Sequence, residues 1–123
     1  MAEILPVEDK LKQQAYCIKF GVHFDLSLMA YVALKDGEAV AICQFEMSRH
    51  VCDIRDLSFE DNIRQTPIPF LLLRAVMHFA DGCGAERMRI CTENVNEDLA
   101  TSAEFLKKRQ GNYEANLQNL RHQ

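Results

Sequence analysis

The stretch Asp61 to Ala80, DNIRQTPIPFLLLRAVMHFA, sets Arg64, Gln65 and Thr66 directly before an apolar helical run. A cation and a helix mouth together favour a phosphate-bearing ligand, because the first N–H groups of a helix lack internal partners. Pro67 and Pro69 stand at that mouth. Both can start a helix, yet each removes one N–H donor. Other chemistries find less support. His23, His50, His78 and His122 have no metal spacing such as H-E-x-x-H, and there is no G-x-S-x-G, P-loop or local Cys-His pairing. The five cysteines, Cys17, Cys43, Cys52, Cys83 and Cys91, are scattered without a C-x-x-C. A disulfide framework or zinc site is therefore not expected, and a reducing cytoplasm is. Most of these cysteines should be small apolar core residues, and Cys83, in a predicted turn before Gly84, is expected to be buried or inert rather than reactive.

The bulk numbers narrow the class. A chain of 123 residues predicts one domain, 1–123. Its 48% hydrophobic and 26% charged content is that of an ordinary globular protein. The formal charge is -4, and the basic clusters RMR at 87–89 and KKR at 107–109 are short. Nucleic-acid binding is not expected. No apolar run reaches the roughly 18–20 residues of a membrane helix, and MAEILPVEDK has no signal-peptide core, so no membrane association is expected.

Several elements must position the helix mouth. Val7, Leu11, Ala15 and Ile18 predict a helix over 7–20, with Pro6 at its start, Gly21 past its end and those apolar residues inward. LMAYVAL (28–34) and AVAICQFEMS (39–48) predict strands joined by the Asp-Gly turn of KDGE. VCDIRDLSFE (51–60) predicts a third strand. Ile54, Leu57 and Phe59 share one side only if the strand is bulged near Asp56 to Ser58. Residues 68–81 predict a helix with Leu71, Leu72, Ala75, Val76 and Phe79 on its buried face. ERMRICTE (86–93) predicts a strand parallel to the third, by the crossover rule. A second helix is expected over 97–109, capped by Asn96, with Leu99, Ala103 and Leu106 inward, then one short strand around Tyr113 to Leu117.

This order, an α+β mixed sheet with an antiparallel meander, a helix, a parallel splayed strand and a second helix, resembles the GNAT (acyl-CoA N-acyltransferase) superfamily. The likeness runs from about Gly37 to Lys108. GEAVAICQFEM matches the hairpin's returning strand and DIRDLSFED the bulged strand. IRQTPIPFLLLRAVMHFA matches the cofactor loop with its helix, and RMRICTEN the splayed strand.

The resemblance implies acetyl-CoA or another acyl-CoA as cofactor and an amine, on a small molecule or a protein, as acceptor. The family loop reads Arg or Gln, two residues, Gly, one residue, Gly or Ala. Here Arg64 holds the first position, Gln65 and Thr66 are spacers, and Pro67 and Pro69 replace the small residues. Two lost charge-assisted hydrogen bonds weaken binding by about two to four powers of ten. The N–H groups of Gln65, Thr66, Ile68 and Phe70, the Arg64 guanidinium and the Thr66 hydroxyl remain. By the same resemblance Leu57, Ser58 and Phe59 face the pantetheine and thioester, with the Phe59 N–H as oxyanion donor, and Asn94 touches the pantetheine arm. Asp56, Asp53 and Glu46 are the candidate bases. Phe105 and Leu106 fall where the family has a tyrosine acid, and Tyr113 is a substitute donor. The family's substrate-side helices are reduced to one and its final hairpin to one strand. The groove is then open, or a second copy completes it as a homo-oligomer.

Three readings follow. One is a small acyltransferase or acyl-CoA binder. Another is a non-catalytic, degenerate GNAT-like interaction or regulatory module, suggested by Pro67, Pro69, Phe105 and the short C-terminus. The third is an unrelated α+β fold acting in dimer assembly.

Overall fold

The computed structural model describes residues 2–91, 99–100, 103, 106–107 and 113–117. Chain order is β1 (Ala2–Pro6), α1 (Lys10–Phe20), β2 (Met29–Lys35), β3 (Glu38–Ser48), β4 (Val51–Phe59), a single 3-10 turn (Asp61–Ile63), α2 (Ile68–Gly82), β5 (Arg87–Ile90), β6 (Leu106–Lys107) and β7 (Tyr113–Asn116). The strands form one sheet in the order β1-β2-β3-β4-β5-β7-β6. Neighbours are antiparallel except β4 and β5, which are parallel across the α2 crossover, as expected.

The hairpin of β2 and β3 turns at Asp36 and Gly37, both with positive φ (53° and 83°). Asp-Gly is the pair that tolerates this. The parity argument for β4 also holds, with its bulge one residue earlier than expected. Gln44 faces Asp56 and Phe45 faces Ile54, leaving Arg55 as the extra residue. Cys52, Ile54 and Leu57 thereby share the α2 side of the sheet. They are joined there by Cys43, Phe45, Met88 and Ile90 from the sheet and by Leu72, Leu73, Val76 and Met77 from α2. A smaller cluster, Cys17, Ala30 and Ile42 with Tyr16, Phe20 and Phe24, lies under α1.

The ends of the chain differ from expectation. Pro6 is the last residue of β1, a strand the periodicity does not reveal, and α1 begins only at Lys10. Its N-cap is Asp9, whose carboxylate accepts from the N–H of Leu11 at 2.8 Å and of Lys12 at 3.3 Å. Gly21 closes the helix in the left-handed region at φ 66°, as foreseen. The buried face is the reverse of the expected one. Leu11 and Ile18 are each 77% exposed, while Gln13 and Cys17 are buried. Accordingly, Ile18→Lys should leave the urea midpoint within about 0.5 kcal/mol of the parent. Gln13→Leu, which strands buried polar partners, should cost roughly 1–3 kcal/mol in the same measurement.

In α2 the buried set includes Leu72 and Val76 as expected, but also Leu73, Met77 and Ala80, while Leu71 is exposed. Leu106 and Lys107 are strand residues paired with Glu114 and Tyr113, so no helix runs through 109. The final hairpin, expected to be cut to one strand, retains both strands. The expected cap Asn96 lies outside the described residues.

Candidate active site

Among the described residues the parallel ladder between β4 and β5 pairs Val51↔Arg87 through Ile54↔Ile90, and β4 runs on to Phe59. Cys91 N–H donates to Ile54 O at 2.9 Å. Just past this rung the Arg55 bulge adds local twist to β4. Beyond it, Glu60 N–H donates to Val40 O at 3.0 Å. Hydrogen-bonded pairs alternate in an antiparallel ladder, so the N–H groups of Asp56 and Ser58 face β3. Those of Leu57 and Phe59 face the other way, where among the described residues no strand receives them. A cavity of about 180 Å³ lies there, lined by Phe20, Leu57, Ser58 and Phe59.

The loop before α2 is largely closed on itself. Arg64 N–H donates to Asp61 O at 3.2 Å and Thr66 N–H to Ile63 O at 2.9 Å. The Thr66 hydroxyl donates to Ile63 O at 2.6 Å and accepts from Ile68 N–H at 3.3 Å. The Arg64 guanidinium lies 3.5 Å from Asp61 Oδ1 and 5.3 Å from the centre of the Phe59 ring. Pro67 takes the N-cap position of α2 and Pro69 its second helical position. Phe70 falls in the first turn, where N–H groups lack helical acceptors. Gln65 is exposed beside it.

The three carboxylates separate by their partners. Asp53 is buried and receives the Arg89 guanidinium in two hydrogen bonds, 2.6 Å to Oδ1 and 2.9 Å to Oδ2. Glu46 pairs with Arg55 at 3.0 Å. Asp56 has no cation bonded to it among the described residues. Its Oδ2 accepts from Gln44 Nε2 at 2.9 Å. Burial raises its pKa above the ordinary aspartate value, partly opposed by the Gln44 hydrogen bond and the nearby His23. Of the three, Asp56 is the one whose carboxylate no cation occupies among the described residues.

Behind Asp56 lies a polar chain that no periodicity announced. Gln44 and Gln13 are both fully buried. Gln44 Nε2 also donates to His23 O at 2.7 Å, and Gln44 Oε1 accepts from Gln13 Nε2 at 2.9 Å and from Cys17 Sγ at 3.2 Å. A glutamine in the middle of AVAICQFEM, flanked by apolar residues, was the available signal.

The remaining candidates contribute less. Tyr113 is buried in β7 opposite Ile90, within the core. Asn94 and Phe105 lie outside the described residues, and Leu106 is in β6. Cys17, Cys43 and Cys52 are buried as expected, and burial holds the Cys52 thiol up at about 12. Cys83 and Cys91 are exposed, so Cys83 is not one of the buried cysteines. No group of three potential metal ligands occurs among the described residues, and no helix there is long and apolar enough to cross a membrane.

A mixed sheet with a bulged strand, a parallel neighbour and a crossover helix between them is an arrangement that solved structures share. An IAA acetyltransferase from Bacillus cereus aligns with TM-score 0.68 and 17% identity over 88% of this chain and 79% of that one. Tetrahymena GCN5 aligns with TM-score 0.71 and 13% identity over 95% and 96%. An acetyltransferase of the GNAT family from Staphylococcus aureus gives 0.65 and 12% over 95% and 99%. No family model matches the sequence, and a search of the curated proteins returns no match. The chain has the fold of the GNAT superfamily.

Proposed function

We propose that this protein is an N-acyltransferase that takes an acyl group from an acyl-CoA and passes it to an amine of a small molecule or protein. The observation that carries the reading is the cavity beside β4 past the Arg55 bulge. It is lined by Leu57, Ser58 and Phe59, with the Leu57 and Phe59 N–H groups turned away from β3, close along the strand to a carboxylate of raised pKa. The thioester end of the ligand fits these residues. The pyrophosphate end fits less well, because Pro67 and Pro69 have no N–H and the N–H groups of Arg64, Thr66 and Ile68 are already bonded. The N–H groups of Gln65 and Phe70 and a swung-out Arg64 are the donors left for it.

The acyl-CoA supplies an activated acyl group; the chain supplies the rest. Phe59 N–H donates to the carbonyl oxygen as negative charge develops there, an interaction whose removal typically costs 10²- to 10³-fold in rate, while Leu57 N–H, two residues back on the strand, faces the pantetheine arm. Asp56 accepts a proton from the incoming ammonium, freeing the amine lone pair. The α1 side of the sheet, where Asp56 projects beside His23, receives the acceptor. The comparisons lend no support to the alternative of a non-catalytic module.

Titration calorimetry with acetyl-CoA tests the reading. The parent chain should give weak, saturable heat at millimolar ligand. Pro69→Ala, which restores one N–H at the helix mouth, should tighten binding by up to about tenfold. No heat from either protein at millimolar acetyl-CoA overturns the proposal.

A further inference from the structure

We infer that the seat of α1 on the sheet sets the orientation of Asp56, through a chain of buried amides from Lys10 by Gln13 and Gln44 to the carboxylate. The inference rests on reading Asp56 as the base, and adds to it how that base is controlled.

The direction of the chain is fixed by groups that can only accept. Gln13 Nε2 donates to Leu28 O at 3.1 Å, so its amide cannot be turned round without placing two oxygens together. Its other N–H must then point to Gln44 Oε1, at 2.9 Å. Gln44 Nε2 is held in the same way by His23 O at 2.7 Å, which aims the second N–H at Asp56 Oδ2. At the far end Lys10 Nζ donates to Gln13 Oε1 at 3.1 Å. Every donor in the series points toward the carboxylate, with a cation behind it. Such series polarise one another in a low-dielectric interior.

The same bonds dock the helix. α1 has only two fully buried side chains, Gln13 and Cys17, and both donate to the single oxygen of Gln44. Its apolar contacts with the sheet are limited to Cys17 against Ala30 and Ile42 and to half-buried residues such as Tyr16 and Phe20. A shift of α1 off β3 therefore breaks the support of Gln44 and, with it, the aim of Asp56. Gln44 acts as a positioning residue. The titratable groups facing Asp56 are Cys17 from α1 and His23 from the segment after α1, while Cys43 of β3 lies near it on the opposite, α2 side of the sheet.

Carbon-13 NMR titration of the aspartate carboxyls, together with amide hydrogen exchange, tests the inference on the parent, Gln44→Met, Gln13→Met and a neighbouring core control, Ile42→Val. In Gln44→Met the Asp56 midpoint should move up and the α1 amides should exchange faster. In Gln13→Met both effects should appear with smaller size, and in Ile42→Val neither. If the parent transfers acetyl from acetyl-CoA to an amine, kcat of Gln44→Met falls about tenfold, with the acid limb of its pH profile moving up alongside the carboxyl. An unmoved Asp56 midpoint in either folded glutamine variant overturns the inference, as does an equal shift in Ile42→Val. The titration is read without turnover. A protein that acetylates no amine thus removes the functional proposal while the coupling of α1 to Asp56 is still decided.

Discussion

Asp56→Asn should lower kcat/KM for acetyl transfer by about 10²- to 10⁴-fold, the usual contribution of a positioned general base. Acetyl-CoA affinity by calorimetry should stay unchanged, because the carboxylate lies on the acceptor side of β4 with Gln44 and α1. Stability should move the other way. Burial raises the folded pKa of Asp56 above its unfolded value. A carboxyl shifted upward contributes stability at pH below its unfolded pKa, and that contribution is lost as pH rises through the folded pKa. At neutral pH the ionised group is therefore a stability cost. The Asn variant should melt no lower than the parent at pH 7, and the difference should shrink as the pH falls into the carboxyl range. A variant that keeps full activity would remove Asp56 from the mechanism. One that loses activity together with its melting transition would say only that the fold had failed.

The second large effect is structural. Arg89→Ala leaves the Asp53 carboxylate buried on β4 without its two short hydrogen bonds, with only Arg55 at 3.9 Å to replace them. Removing one partner of a fully buried pair costs roughly 3–5 kcal/mol. The Arg89 side chain is half exposed, so screening reduces this, and a loss of roughly 2–3 kcal/mol by urea unfolding is expected. The double variant Asp53→Leu with Arg89→Leu should recover most of it, since neither charge is then left unpaired. The pair joins directly opposed residues of the parallel rungs. Hydrogen exchange should therefore show the loss first in the amides of 51–54 and 87–90. A single variant as stable as the parent would mean that water already solvates Asp53.

Much of the central sheet was legible because its patterns are local. Asp36-Gly37 marks a turn whatever surrounds it. The broken alternation of Ile54, Leu57 and Phe59 requires an extra residue, and the strand supplies it at Arg55. The parallel placement of β5 follows from strand, helix, strand order. What failed depended on partners distant in the chain. β1 is five residues with little burial and a proline, so it carries no alternation to read. The α1 face came out reversed because the sheet beneath it presents Gln44, which asks for Gln13 and Cys17 rather than Leu11 and Ile18. The helix expected over 97–109 gives way to a strand at Leu106 because Tyr113 and Glu114 offer a ladder. At the site, letters alone could not rank Asp53, Asp56 and Glu46. Arg89 and Arg55 rank them, by occupying two of the three.

Arg55 itself is solvent-facing, and its guanidinium does no more than brace nearby acids. Its weight in the molecule is numerical. Side chains in a strand alternate, so excising this one position would turn every residue downstream through half a turn. Asp56 would be driven into the oily layer against α2, and Leu57 and Phe59 would be turned out toward α1. The backbone donors would swap directions with them, closing against β3 those that now face away from it. At this point the molecule is indifferent to which residue is present and depends wholly on there being one.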